Sequence, residues 1–286
     1  MFIASQPQAS RARDIARLVT AIPSTDGEGI ETSRVIGTVS INDLNPFLRF
    51  DELRSVLSRN GVTGFSEQSQ RGFETINYML AGSLHYHDRM GDEATISAGG
   101  AQWITAGRGI SHAGTPDFAD GEMQGFQIWL NLPAGEKMQA PRHIEIAPED
   151  IPCVIYPKSK SEVKVLAGRY HGLIGPISPP TTQPLILDVR LTPEAEITLP
   201  VPESHVGFVY VYEGAMAVER TLLNRGQAGI LGDGNVLTLV AGALPCRALV
   251  LTARVLHEPI ARHGPFVMNT HDEIKQAFTD HQQGLF

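Results

Sequence analysis

Gly64-Phe-Ser-Glu-Gln-Ser-Gln-Arg-Gly-Phe-Glu-Thr-Ile-Asn-Tyr-Met-Leu-Ala-Gly82 and, further on, Gln102-Trp-Ile-Thr-Ala-Gly-Arg-Gly-Ile-Ser-His-Ala-Gly-Thr-Pro116 decide how this chain folds. Thr75–Leu80 is a β-prone apolar run that stops at Ala81-Gly82. Ser83–His87 is a second run, ended by the turn Asp88-Arg-Met-Gly-Asp. Ala94–Ser97 and Gln102–Thr105 follow, closed by Gly99-Gly100 and by Ala106-Gly-Arg-Gly. Turn signals recurring about every ten residues between short β-prone runs are the pattern of a barrel or sandwich.

The same rhythm extends outward. Upstream, Arg34-Val-Ile-Gly-Thr-Val-Ser-Ile41 reads as a strand. Asn45-Pro-Phe-Leu-Arg-Phe-Asp-Glu-Leu53 has no clean polar face and reads as a segment laid across a barrel surface. Downstream, Gly125–Leu132 is a long strand closed by Pro133-Ala-Gly. Pro141–Pro152 reads as a crossover with at most one helical turn, since Pro152 stops it. A second β-rich half runs from Ser161–Leu166 to Arg247–Ala253. Its Glu213-Gly-Ala-Met-Ala-Val-Glu repeats the strand–glycine–strand layout of Ala81-Gly-Ser-Leu-His-Tyr-His, and Leu231-Gly-Asp-Gly-Asn parallels Ser97-Ala-Gly-Gly-Ala. This weak similarity, at a period of about 130 residues, points to two related barrels. The tail departs from it: Thr270-His-Asp-Glu273 has the form of a helix capping box, and Ile274, Ala277 and Phe278 repeat at helical spacing. The expected fold is all-β, with two tandem barrels over 1–140 and 141–286 and a short C-terminal helix docked on one of them.

Composition bounds the function. With 42% hydrophobic and 19% charged residues among 286, a packed soluble core is expected rather than disorder. A net charge of −8 and a pI near 5.7 argue against direct nucleic-acid binding, which needs a basic face to neutralise phosphates. Cys153 and Cys246 form neither a disulfide framework nor a zinc pattern. No apolar run reaches the ~18 residues of a membrane span, and Met1-Phe-Ile-Ala-Ser-Gln-Pro-Gln does not resemble a secretory signal. A cytoplasmic protein is the default expectation.

Five segments carry a family resemblance: Asn45-Pro-Phe-Leu-Arg-Phe-Asp-Glu, Arg71-Gly-Phe-Glu-Thr, Gln102-Trp-Ile-Thr-Ala-Gly-Arg-Gly-Ile-Ser-His-Ala, Gln127-Ile-Trp-Leu-Asn-Leu and His263-Gly-Pro-Phe-Val-Met-Asn-Thr. They span almost the whole chain and together resemble the pirin family, in the family's order. The resemblance implies a bicupin, two tandem cupin (double-stranded β-helix) barrels, with an iron-type metal in the N-terminal barrel only. Some relatives cleave the flavonol quercetin with dioxygen; others act as iron-dependent or protein-binding regulators. The family's ligands look like His-Pro-His before Arg-Gly-Phe-Glu-Thr and His-x-Glu after Gly-x-Gly-Ile. This chain has Gln68-Ser69-Gln70 and His112-Ala113-Gly114 at those places, so three of four expected ligands are replaced and His112 alone remains.

The replacements bear on chemistry. An open first-row metal site is held by imidazoles and carboxylates, and a carboxamide oxygen is a poorer donor that brings no charge. Gln68 and Gln70, two apart on a strand, are expected on one side, with Glu74 sharing that face if the strand is regular. Glu74 with His112 and two amide oxygens would be a weak site; the plainer reading of Glu74 is a hydrogen bond or ion pair with Arg71 or Arg108. His85-Tyr86-His87 is a His-x-His pair one strand too late, and reads as solvated. Gln102 and Gln127 are candidates to face the cavity, which lined by Gln68, Gln70, Gln127 and His112 is expected to be polar, roomy and water-filled. The second barrel, with His205 alone, reads as structural. The resulting expectation is no resident cofactor and weak or no iron binding. The expected partners are a small polar or aromatic ligand in the N-terminal barrel and, by family analogy, a protein. The alternative is a metal-dependent dioxygenase acting on quercetin-like flavonols through atypical ligands.

Overall fold

A computed structural model describes residues 10–26, 30–56, 65–89, 91–118, 122–179 and 181–286. Gly64, at the start of the deciding stretch, lies outside the described residues. Among the described residues the chain forms two barrels, each a seven-stranded antiparallel sheet closed by a four-stranded one. In the first barrel the large sheet has Phe73–Ala81 near its centre, flanked by Ala101–Thr105 and Glu122–Asn131. The small sheet holds Phe65–Gln70, Ile110–Asp117, Ser83–Asp88 and Glu93–Ile96.

The two large sheets pack face to face. Period-two alternation sends Ile76, Tyr78, Phe126, Ile128 and Phe50 out of the first barrel, where they meet Phe208, Tyr210, Leu249 and Leu251 of the second in one core. Phe50 contacts Phe208 and Tyr210 edge-on at centroid distances of 5.1 and 5.0 Å. This explains why Phe47–Val56 lacks a polar face. It does not lie across a surface; it is an interior strand of the large sheet, paired on both edges and buried on both faces from Phe47 to Phe50 apart from Arg49. Arg34–Ile41 is likewise cut short: the strand is Ile30–Ile36, and the backbone turns at Gly37, where φ is +88°.

The domain boundary expected at 140/141 is crossed three times. Arg142–Ile146 is no crossover but an edge strand of the first barrel, paired with Ala101–Thr105; a single 3-10 turn, Pro148–Asp150, follows it. Ile15–Thr20 pairs with Gln227–Leu231 and so completes the second barrel, anchored by buried Arg13, which donates to the carbonyls of Pro202, Glu203, His205 and Gly234. In exchange, the C-terminal segment returns to the first barrel. The helix His271–Gln282 starts at the expected Thr270/Glu273 capping box and buries Ile274 and Ala277. Its Asp280 accepts from Arg71 at 2.7 Å, and the Arg71 guanidinium lies 4.4 Å from the Phe286 ring centroid. Lys137, 1% exposed, ties the same junction together by donating to Gly72 O, Asn131 Oδ1 and Val267 O. Gly72 is required there: its φ is +85°, and a Cβ would stand 2.0 Å from the Val267 carbonyl oxygen.

Candidate functional site: an amide-lined pocket in the first barrel

The kink at Arg71-Gly72 sets the geometry of the site. Gln70 ends one strand and Phe73 begins the next, so the side-chain alternation is reset between them. Gln70 points inward, fully buried, and its Oε1 accepts from Thr75 Oγ1 at 3.0 Å. Glu74 does not share that face. It lies with Ile76 and Tyr78 on the side turned to the second barrel, where Thr105 Oγ1 donates to its Oε1 at 3.1 Å. Burial raises its pKa to about 7. Arg71, one of the two expected partners of Glu74, is engaged elsewhere, on Asp280 and on the Arg108 carbonyl.

Inside the barrel, Gln68 stands directly across from His112 in the strand pairing, and His112 from Asp88 on its other side. The His112 ring lies 5.3 Å from Tyr86, and His143 stacks on Tyr86 at 4.6 Å. Burial lowers the His112 pKa to about 4, with Asp88 opposing that shift, so the imidazole is neutral; its buried Nε2 has no hydrogen-bond partner among the described residues. Asp88 is bound by the Tyr86 hydroxyl and the Asp92 N–H.

The floor of the pocket is a row of amides: Gln102 and Gln127, the expected cavity-facing residues, and between them Asn77, which no local pattern in the sequence reveals. Gln127, Asn77 and Gln102 are register neighbours on three adjacent strands. Trp129 Nε1 donates to Gln127 Oε1 at 3.2 Å, Gln127 Nε2 to Asn77 Oδ1 at 3.4 Å, and Asn77 Nδ2 to Gln102 Oε1 at 2.9 Å. Gln102 Nε2 then meets His143 Nε2 at 2.9 Å. Starting from an indole that can only donate, the chain of donors ends on a ring nitrogen that must accept, which puts the His143 proton on Nδ1. The row continues across the sheet as the Asp51–Arg34 ion pair, since Asp51 is the register neighbour of Gln127 and Arg34 of Asp51.

Gln68, Asn77, Tyr86, Gln102, His112 and Gln127 line a cavity of about 20 Å³, with Gly114 at its edge. That space holds about one water, so the expected roomy pocket is corrected: the amides close on one another. Gln70 does not line it. His85 and His87 point outward, exposed, with His85 Nδ1 on Thr95 Oγ1.

The family model described as "Pirin" matches residues 29–130, and that described as "Pirin C-terminal cupin domain" matches residues 186–286. The chain belongs to the pirin family. It is 38% identical over 285 residues to a Pseudomonas aeruginosa protein provisionally named a quercetin 2,3-dioxygenase, covering 96% of this chain and 99% of that one. Human pirin is 33% identical over 276 residues, covering 94% and 92%. A crystal structure of quercetin 2,3-dioxygenase from Acinetobacter baumannii superposes with a TM-score of 0.88 at 30% identity, covering 96% of this chain and 99% of that one.

The pirin family implies an iron-type ion at this place, and the donor set here does not fit one. Two of the four positions present neutral amides, one presents no side chain, and one presents an imidazole. Asp88 beside His112 and His143 across Tyr86 are the further imidazole and carboxylate groups nearby, and among the described residues no three His, Cys, Asp or Glu side chains gather as a metal-holding group. First-row divalent ions at open sites are held by more imidazole and carboxylate than this.

Proposed function

We propose that this pirin is a metal-free binding protein, one that keeps the cupin barrel and has exchanged its metal chemistry for a neutral, hydrogen-bonded interior. The observation that carries the reading is Gln68 paired across from His112 in a cavity shared with the Gln127–Asn77–Gln102 row, whose three amides are bonded to one another. Removing charge and ligand basicity together leaves a pocket suited to neutral hydrogen bonding rather than to an electrophilic cation. The test is elemental analysis of purified protein with a quercetin turnover and oxygen-uptake assay on the same sample. Well under one iron, manganese, cobalt, nickel, copper or zinc per chain, with no turnover, is expected. Stoichiometric metal retained through dialysis against a weak chelator refutes it.

A second reading is a metal-dependent dioxygenase for quercetin-like flavonols with atypical ligands. The unpartnered His112 Nε2 and the names of the relatives favour it. Against it, a flavonol is many times larger than the cavity of about 20 Å³, so substrate entry would require the amide row to open.

A further inference from the structure

A cavity of about 1040 Å³ opens against the second barrel. Arg169 and Ile174 line it from a short hairpin, where they are register partners and share a face; Tyr170 and Leu173, on the opposite face, pack into the second barrel's core. Pro200 and Val236 line it as register partners too, while Leu199 and Leu237 beside them turn into the same core. The cavity therefore lies against the outside of that core, with Leu185 and His205 also in its lining. The loop that carries His205 is fixed from behind by Arg13, which is 1% exposed and donates to the carbonyls of Pro202, Glu203, His205 and Gly234.

His205 is 7% exposed, and its Nδ1 lies 3.1 Å from Thr252 Oγ1. Thr252 is fully buried, and this ring nitrogen is its one side-chain hydrogen-bond partner among the described residues. The hydroxyl proton has no other acceptor, so Thr252 donates to Nδ1 and the imidazole carries its proton on Nε2. Gly207 makes room for this contact: it is the register partner of Thr252, and a Cβ there would stand 2.6 Å from Thr252 Cγ2. The His205 Nε2 has no hydrogen-bond partner among the described residues and, unlike the His112 Nε2, is not sealed from solvent. His205 thus offers the cavity one N–H donor. The nearby charges are cations: Arg254 is its register partner, and Arg13 holds its carbonyl. Burial first, then Arg13 and Arg254, lowers the His205 pKa to about 4, and no carboxylate opposes them. Glu203, at the rim, acts with Asp233 on Arg13 and accepts from Asn235 Nδ2 at 3.4 Å. Arg169 and Arg254 are exposed and make no ion pair among the described residues. A carboxylate would therefore meet an N–H donor in a positive field. The apolar lining is aliphatic, without a phenyl, phenol or indole ring among the described residues, which suits a hydrocarbon chain.

We propose that this cavity binds aliphatic monocarboxylates, with the carboxylate accepting from His205 Nε2 and the chain lying along Ile174, Leu185 and Val236. Arg169 supplies a cation at the rim. The site shares no residue with the pocket of the first barrel, so it is independent of the metal-free reading.

The test is calorimetric titration of the full chain at pH 7, in EDTA, with octanoate, butyrate and 1-octanol. Each buried methylene is worth about fourfold in affinity, so octanoate should bind at one equivalent and at least tenfold tighter than butyrate. It should also bind at least tenfold tighter than 1-octanol, which has the chain without the charge. Ile174→Asp, at an exposed position, should weaken octanoate at least tenfold, and Arg169→Glu several-fold, with the thermal midpoint of the parent. His205→Phe keeps a ring and loses the donor, and should erase the preference for octanoate over 1-octanol. If His205→Phe does not fold, the two surface variants still decide. No octanoate binding, equal binding of 1-octanol, or unchanged octanoate binding in a folded Ile174→Asp overturns the proposal. Because every titration contains EDTA, metal found in the separate elemental analysis would overturn the reading of the first barrel and leave this one standing.

Discussion

Glu74→Gln should stabilise this protein, and only above acid pH. The Glu74 side chain is 2% exposed, Thr105 supplies one hydrogen bond, and the second carboxylate oxygen has none. Burial raises its pKa from 4.5 to about 7, with smaller opposing help from Thr105, Trp103 and Arg142. Between those two values the folded chain holds a proton that the unfolded chain has released. Stability therefore falls as pH rises through this window, is flat below it and levels off above it. At 1.36 kcal/mol per pH unit the gap amounts to about 3 kcal/mol at pH 8. Glutamine has the same shape, keeps an oxygen for Thr105 and never ionises. Urea unfolding of parent and variant at half-unit steps from pH 4.5 to 8 measures the difference, in which every other titrating group cancels. The advantage of the variant should grow from about zero at pH 4.5 to ~3 kcal/mol at pH 8. A difference that does not change with pH, or a variant less stable than the parent at pH 8, would refute the assignment of Glu74 as a buried, poorly solvated acid.

Lys137 should give the opposite pH trend: burial lowers its pKa to about 7, so the unfolded chain binds the extra proton and stability rises with pH from there toward the ordinary lysine value. Lys137→Met should flatten that rise in urea unfolding between pH 7 and 9.5. Asn77→Leu breaks the amide row in the middle, leaving Gln102 Oε1 and Gln127 Nε2 without partners; a loss of ~2–4 kcal/mol is expected by denaturant unfolding. Restoring Gln68→His, Gln70→His and Gly114→Glu together should create iron binding detectable by elemental analysis and by a thermal midpoint that rises on adding ferrous iron. A folded triple variant with no such response would mean that these positions do not converge as a ligand set. Phe286→Ala uncovers Gly109 and the Arg71 guanidinium, and hydrogen exchange should quicken in the helix His271–Gln282 while the second barrel is unaffected.

What the sequence made legible was local. Thr270 and Glu273 announce their helix because a capping box is a contact three residues long, and Thr75–Leu80 announces a strand because its residues are β-prone and bounded by glycine. What stayed hidden depends on which strand lies beside which. Ile15–Thr20 pairs with a strand some two hundred residues away and is mostly exposed, so nothing in its own pattern assigns it to the second barrel. A regular strand would set Glu74 beside Gln70, whereas Gly72, with φ of +85°, ends the strand and reverses the face. The pocket is the sharpest case. Read one position at a time, Gln68, Gln70 and Gly114 are missing ligands, and missing ligands suggest an empty cup. But a carboxamide carries both a donor and an acceptor, so amides brought into register can satisfy one another as imidazoles around a cation cannot. Asn77, Gln102 and Gln127 thus form a polar floor bonded from strand to strand, and Gln70 turns its oxygen to Thr75, while Gln70 Nε2 and His112 Nε2 keep no hydrogen-bond partner among the described residues.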